Sequence, residues 1–286
     1  MFAIYKRELR AYLTSMVGFV FLAFFLAIVG LYTWAYNFVS QIGNFEVTLS
    51  SISFLFVLLI PILTMRTVAE DYNQKTDQML LTAPVSLTQV VIGKYLAVLS
   101  LFLIGMVVVS LYPLIIASYG KDVRLVLSYG GVIGFMLLGA AYIAIGMFVS
   151  SLTESQVIAA VVSFVVFLLC QLVPGLSNML PSGSLSQTVL VVILILLLAF
   201  LLYNMTHNVV VSVVFAIVAE ALGVIAVHLK LCDGLLEKIL ECFALSDKYS
   251  NFALGIIDYS ALVYYCSIIF FFNFLTVQMM KKRKFS

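Results

Sequence analysis

The chain has 286 residues, of which 64% are hydrophobic and 10% charged, with a mean hydropathy of +1.19. A water-soluble surface needs roughly a quarter of its residues charged, so a soluble globular domain is excluded and an all-α integral membrane protein is expected. The net charge of +2 excludes little, and nothing in the composition points to nucleic acid as a partner.

In chain order, residues 2 to 13 place Phe2, Tyr5, Leu9 and Tyr12 at helical spacing, with Lys6, Arg7 and Arg10 on other faces. This pattern predicts an interfacial helix over residues 1–13, in contact with membrane lipid. The same start is too polar before its first long apolar run for a cleavable signal peptide. A first span follows from Ser15 to about Tyr36, with Trp34 and Tyr36 as interface anchors. A short loop carrying Glu46 leads to a second span, Leu49 to Met65, in which Pro61 is placed to bend the helix.

Arg66 to Tyr95 is the longest polar interval, and it keeps apolar residues at helical spacing. Thr76 followed by Asp77 predicts the cap of a short helix through Leu81, which Ala83-Pro84 must end. Ser86 and Gln89 form a capping box with Val85 and Val90 as its staple. From Leu87 nothing breaks the helix before Pro113, so this second helix should enter the membrane as a single rod. The third span is expected over Tyr95 to Ser118 and the fourth over Tyr129 to Val149.

At this loop the sequence resembles the permease subunits of ABC type 2 exporters, in particular the branch of the gliding-motility permeases. That family's pattern is a Glu, a few polar residues, Gly-Thr-x-Glu-x-Leu-Leu-x-x-Pro-Val, and a Gly-Lys opening the third membrane helix. Here it falls on Glu70, Thr76, Leu80, Leu81, Pro84, Val85, Gly93 and Lys94, while Lys75 replaces the glycine and Asp77 the glutamate. The resemblance covers the first 175 residues and resumes near Ser246. It implies that residues 66–94 are the cytoplasmic coupling loop, docked on a separate ABC ATPase subunit. Asp71, Lys75 and Asp77 join the motif positions as coupling residues. It further implies a second permease subunit, ATP and magnesium held by the ATPase subunits and not by this chain, and an extracytoplasmic accessory subunit as a frequent companion.

Beyond the fourth span, Thr153 and Gln156 repeat the capping-box spacing on either side of Glu154, with Leu152 and Val157 as the staple, and mark a second cytoplasmic loop. The fifth span runs from about Val157 to Val173. Two further apolar runs, Thr188 to Tyr203 and Asn208 to His228, predict an additional membrane hairpin over 188–228. Residues 229–260 read as an extracytoplasmic segment in which Asp233 to Leu245 forms an amphipathic helix. The last span, about Ala261 to Met280, ends in Lys-Lys-Arg-Lys. The count is about eight transmembrane helices in one permease domain, 1–286, and an even number puts both termini on one side. Lys6, Arg7, Arg10, Arg66, Lys75, Lys94 and the four cations of the tail make ten on that side, against the five of Lys121, Arg124, Lys230, Lys238 and Lys248. The termini and the loop are therefore expected to be cytoplasmic, in a bacterial cell membrane.

No nucleotide-binding loop is present. Gly93-Lys94 has Thr88 where such a loop needs its first glycine and Tyr95 where it needs Ser or Thr. No metal-ligand spacing or nucleophile elbow appears, so no enzymatic activity and no metal are expected in this chain. Cys170 and Cys266 sit in apolar runs as packing residues. Cys232 and Cys242 share one polar segment; a disulfide between them stays open if that segment faces an oxidising compartment, against which ten residues of helix would hold them about 15 Å apart. Glu220 lies in an apolar run with His228 two turns on, and intramembrane acids are functional candidates by default; Gln171 and Asn37 are weaker candidates, suited to interhelical hydrogen bonds. The reading is a permease that couples ATP hydrolysis on another subunit to export. Two alternatives stay open: a module that transmits ATPase motion to an outer partner, and a proton-coupled carrier using Glu220.

Overall fold

The structure, a computed structural model, describes residues 1–41, 43–76, 86–119, 124–179, 244–253 and 258–285. The chain divides into two compact units, one of Met1–Gln171 with Leu245–Ser286, the other of Leu172–Ala244. The hairpin expected over 188–228, Glu220, His228, Cys232 and Cys242 lie outside the described residues.

The described elements are all helical. In order they are α1 (Phe2–Thr14), α2 (Met16–Thr33), α3 (Phe45–Ile52), α4 (Phe56–Thr64), α5 (Ala69–Asn73), α6 (Leu87–Val109), α7 (Tyr112–Tyr119), α8 (Leu125–Ser150), α9 (Gln156–Met179), α10 (Leu245–Ala253) and α11 (Tyr259–Phe285). Six stretches among them are long and apolar enough to cross a membrane: Met16–Val39, Phe45–Asn73, Leu87–Tyr119, Leu125–Ser150, Gln156–Val173 and Tyr259–Arg283. The single rod expected from Leu87 is α6. It ends at Val109, and Pro113 falls in the first turn of α7, where its missing N–H costs nothing. The second span has its irregularity at the 3₁₀ turn Ser53–Leu55, ahead of Pro61, which lies inside α4.

In the first unit α8 is the central helix, the most deeply buried of the six spans, with α3, α4, α6, α10 and α11 packed around it. Its sequence permits this because small residues recur along it. A Cβ at Gly134 would stand 2.6 Å from the Phe252 ring of α10, and one at Gly139 would stand 2.5 Å from the Phe102 ring of α6. Between these contacts the aromatic core closes, with Phe56 and Phe135 at 4.4 Å and Tyr142 and Phe167 at 4.8 Å between ring centroids. The apolar residues left outside, such as Met16, Phe19 and Phe24 of α2, face outward as a lipid-contacting surface requires.

The helix expected over residues 1–13 is present as α1, but the buried face differs from the one the spacing suggests. Tyr12 is buried and donates its hydroxyl to the Leu63 carbonyl at 3.3 Å, while Phe2 is 75% exposed. The face turned inward is Ile4, Glu8 and Tyr12, because the partner surface on α6 offers a glycine and a cation in place of a wide apolar stripe.

Candidate functional site

The site grows from one buried cation. Lys94 lies two turns into α6 and is 2% exposed. Helical side chains lean toward the N-terminus of their helix, so its ammonium reaches back toward the polar loop. There it donates hydrogen bonds to Glu8 Oε1 at 3.2 Å and the Thr67 carbonyl at 2.7 Å, and forms an ion pair with Asp71 Oδ2 at 2.8 Å. A buried ammonium needs such a shell, since desolvation costs several kcal/mol. The neighbouring Gly93 also faces α1, where a Cβ would make ordinary van der Waals contact with Ile4 Cγ2 at 3.4 Å. Within the Gly-Lys pair it is the lysine that binds α1. The pair sits inside a helix, which is not a phosphate loop.

Glu8 is held from both sides, by Lys94 and by Arg7 at 2.6 Å. Burial alone would raise its carboxyl, but the Lys94 ammonium and the Arg7 guanidinium outweigh burial and hold it below the usual carboxylate range. A second pair stands beside the first. Arg66 makes two bonds to Glu70, at 2.7 and 3.0 Å, and Gln74 adds a third at 3.1 Å. Glu70 and Asp71 are therefore both engaged within the chain.

The loop's entry is built with equal detail. The backbone N–H groups of Val68 and Ala69 donate to Ser150 Oγ at 3.2 and 3.1 Å, and Ser150 donates to the Met65 carbonyl at 3.1 Å. A residue at the end of α8 thus caps α5, whose own sequence supplies no side-chain cap. At its other end α5 closes in a Schellman motif: Thr76 N–H bonds the Asp71 carbonyl at 3.0 Å and Lys75 N–H the Tyr72 carbonyl at 3.2 Å. The residue that turns the chain is Lys75, at φ 56°. This is the position where the resembling family has glycine, and the left-handed conformation explains that glycine. The Thr76 hydroxyl turns back to Asp71 Oδ1 at 3.1 Å. Asp77, Leu80, Leu81, Pro84 and Val85 lie outside the described residues.

The next helix begins as expected, with Ser86 Oγ accepting from Gln89 N–H at 3.3 Å. The second loop departs from expectation. Ser155, not Thr153, caps α9, accepting from Ile158 N–H at 3.5 Å, because the Thr153 hydroxyl is spent on the Ser155 carbonyl at 3.1 Å. Gln156 becomes the first residue of α9. Glu154 pairs with Arg283 near the end of α11, and the Arg283 guanidinium also lies 4.0 Å from the centre of the Tyr72 ring of α5. One end of the unit therefore gathers α1, the loop entry, the second loop and the end of α11.

Gln171 is not part of this gathering, and its Oε1 is buried with no hydrogen-bond partner among the described residues. Asn37 accepts from Thr48 at 2.8 Å, the interhelical bond expected of it. Glu46, read from sequence as a loop residue, is in the first turn of α3 and 1% exposed, and it accepts from Ser128 at 3.1 Å. Among the described residues no group of three or more His, Cys, Asp or Glu could hold a metal.

A family model described as "ABC-2 family transporter protein" matches residues 2–179. The chain belongs to the ABC-2 transporter family. The match spans every element of the Lys94 cluster and the first five candidate spans, so this ABC-2 chain is a multi-pass membrane permease of an ABC transporter. No curated protein matches it.

Proposed function

We propose that this chain is the membrane subunit of an ATP-driven exporter, that the loop from Arg66 to Lys94 receives the motion of a separate ABC ATPase subunit, and that the Lys94 cluster passes that motion to the spans. One observation carries this reading: a single buried ammonium binds the loop entry through Asp71 and Thr67, the surface helix through Glu8, and belongs itself to α6. A displacement of α5 relative to α6 breaks charge contacts in low dielectric, whereas displacing the group as a unit breaks none. The loop, α1 and the inner end of α6 consequently move together. ATP and magnesium belong to the ATPase subunit. Two copies of this chain, or this chain and a related one, form the path, in a bacterial cytoplasmic membrane with the loop and both termini on the cytoplasmic side.

The test is placed on the loop's apolar anchors. Fully burying a leucine contributes about 1.5 to 3 kcal/mol, and an exposed ion pair about 0.2 to 1. Leu80→Ala combined with Leu81→Ala should weaken ATPase retention on the purified permease, or uncouple its turnover, by about tenfold or more. Asp77→Asn should change little beyond the salt dependence. Normal retention and coupling in the double leucine variant would remove the loop from its role. Labelling of a cysteine at position 75 by an impermeant reagent from outside would overturn the orientation.

A further inference from the structure

Beside the charged joint, α1 and α6 leave an open groove of ≈ 390 Å³ lined by Met1, Phe2, Tyr5, Leu96 and Ser100. Among its lining residues the Tyr5 hydroxyl and Ser100 Oγ bond each other at 2.9 Å, and the other lining side chains, of Met1, Phe2 and Leu96, are apolar. Along α6 the face that carries Leu96 and Ser100 continues onto Ile104 and Val107, which are exposed. The opening therefore leads into the lipid-facing surface of a span.

The cations complete the picture. On α1, Lys6 follows Phe2 by one turn and Arg10 follows Lys6 by one more, and both are exposed. Arg7 is taken by Glu8, but among the described residues Lys6 and Arg10 enter no ion pair. We propose that this groove is a seat for an anionic phospholipid, with one acyl chain between Phe2 and Leu96 and the phosphate between Lys6 and Arg10. The cations one and two turns along α1 from Phe2 select the headgroup, and the apolar face of α6 selects a chain-bearing ligand over a free anion. A lipid bound here holds α1 on α6 from the outside, as Lys94 does from the inside. The inference does not depend on the ATPase reading, since it concerns the permease alone.

Sequence composition makes the test direct, because the chain has one tryptophan, Trp34. Trp34→Phe with Leu103→Trp moves the reporter to the groove face of α6, two turns beyond Leu96. The full chain is reconstituted in phosphatidylcholine bilayers containing brominated phosphatidylglycerol or brominated phosphatidylcholine, and quenching is followed against the mole fraction of each. Two surface cations favour an anionic headgroup, so phosphatidylglycerol should half-saturate at roughly a thirtyfold lower mole fraction. Lys6→Gln with Arg10→Gln, both at exposed positions, should bring its curve onto that of phosphatidylcholine. Ser100→Phe should abolish the saturable phase by filling the groove. Equal curves for the two lipids in the parent chain, or an unchanged preference in the neutralised variant, would overturn the proposal. So would protection of Lys6 from amine modification that requires an ATPase subunit and not the anionic lipid.

Discussion

Two charged side chains of this permease are buried to almost the same degree, Lys94 at 2% and Glu46 at 1% exposure, and they are held in opposite ways. Lys94 stands near the Ser150 end of the bundle and Glu46 contacts Ser128, twenty-two residues away on α8, or about 33 Å along a helix. Lys94 is surrounded by carboxylates and a carbonyl from α1, α5 and the turn before α5. Glu46 has a hydroxyl from α8, the first-turn position of its own helix, and a seat cut by glycine, since a Cβ at Gly131 would stand 2.8 Å from the Glu46 Cβ. The difference teaches that burial of a charge is not one kind of device. At Lys94 opposite charges fasten elements that are far apart in sequence, while at Glu46 the backbone shape of α8 does the fastening.

The comparison is tested most severely by Lys94→Met. Removing one member of a buried pair costs about 3 to 5 kcal/mol, and the loss should appear as a lower denaturation midpoint of the purified permease. Adding Glu8→Gln and Asp71→Asn should recover much of it, because the uncompensated carboxylates are then gone. Glu46→Gln keeps the Ser128 bond and should cost no more than about 1 kcal/mol. If it proves as damaging as Lys94→Met, the contrast between the two sites fails.

Gly131→Ala addresses the other side. It should cost about 1 to 3 kcal/mol by forcing α3 away from α8, with no change in salt dependence. Acid should separate the sites again. The folded-state carboxyl of Glu8 lies below its ordinary value, so its contribution to stability is present above that value and is lost as pH falls through the lower, folded one. Denaturation midpoints should decline below about pH 4.3, and Glu8→Gln should flatten that decline. An identical acid limb in the variant would show that Glu8 is not the group responsible. The smallest effect is expected at the loop, where Lys75→Gly relieves a left-handed residue but loosens the unfolded chain. The net gain should be a few tenths of a kcal/mol up to about 1, read from the same midpoints.

Much of this architecture is legible in the residues. Apolar runs and their breakers locate four of the six described spans to within about four residues, while the second extends eight residues further, to Asn73, and the third starts eight residues earlier, at Leu87; Ser86 is found as a cap because capping is local chemistry. The joint is legible only in part. Lys94 is singled out by the family pattern, but its partner Glu8 lies 86 positions earlier in a helix whose spacing points to another face. Ser150 has no signal at all, since a hydroxyl that caps a distant helix looks like any serine at the end of a span. The second loop offers Thr153 and Ser155 as rival caps, and spacing alone favours the wrong one. Glu46 escapes notice because helix α3 starts earlier than its first long apolar run.

The hydroxyl of Ser150 also sets an order of events during synthesis. The N–H groups of Val68 and Ala69 emerge from the ribosome some eighty residues before the side chain that satisfies them. Until the fourth span has been made and inserted, α5 lacks this cap, and five residues of helix do not hold themselves together in water. The capped form of α5 is therefore reached only when four spans are in place. A nascent chain that stalls earlier presents an unformed α5, so the shape of this segment reports that the fourth span has been made.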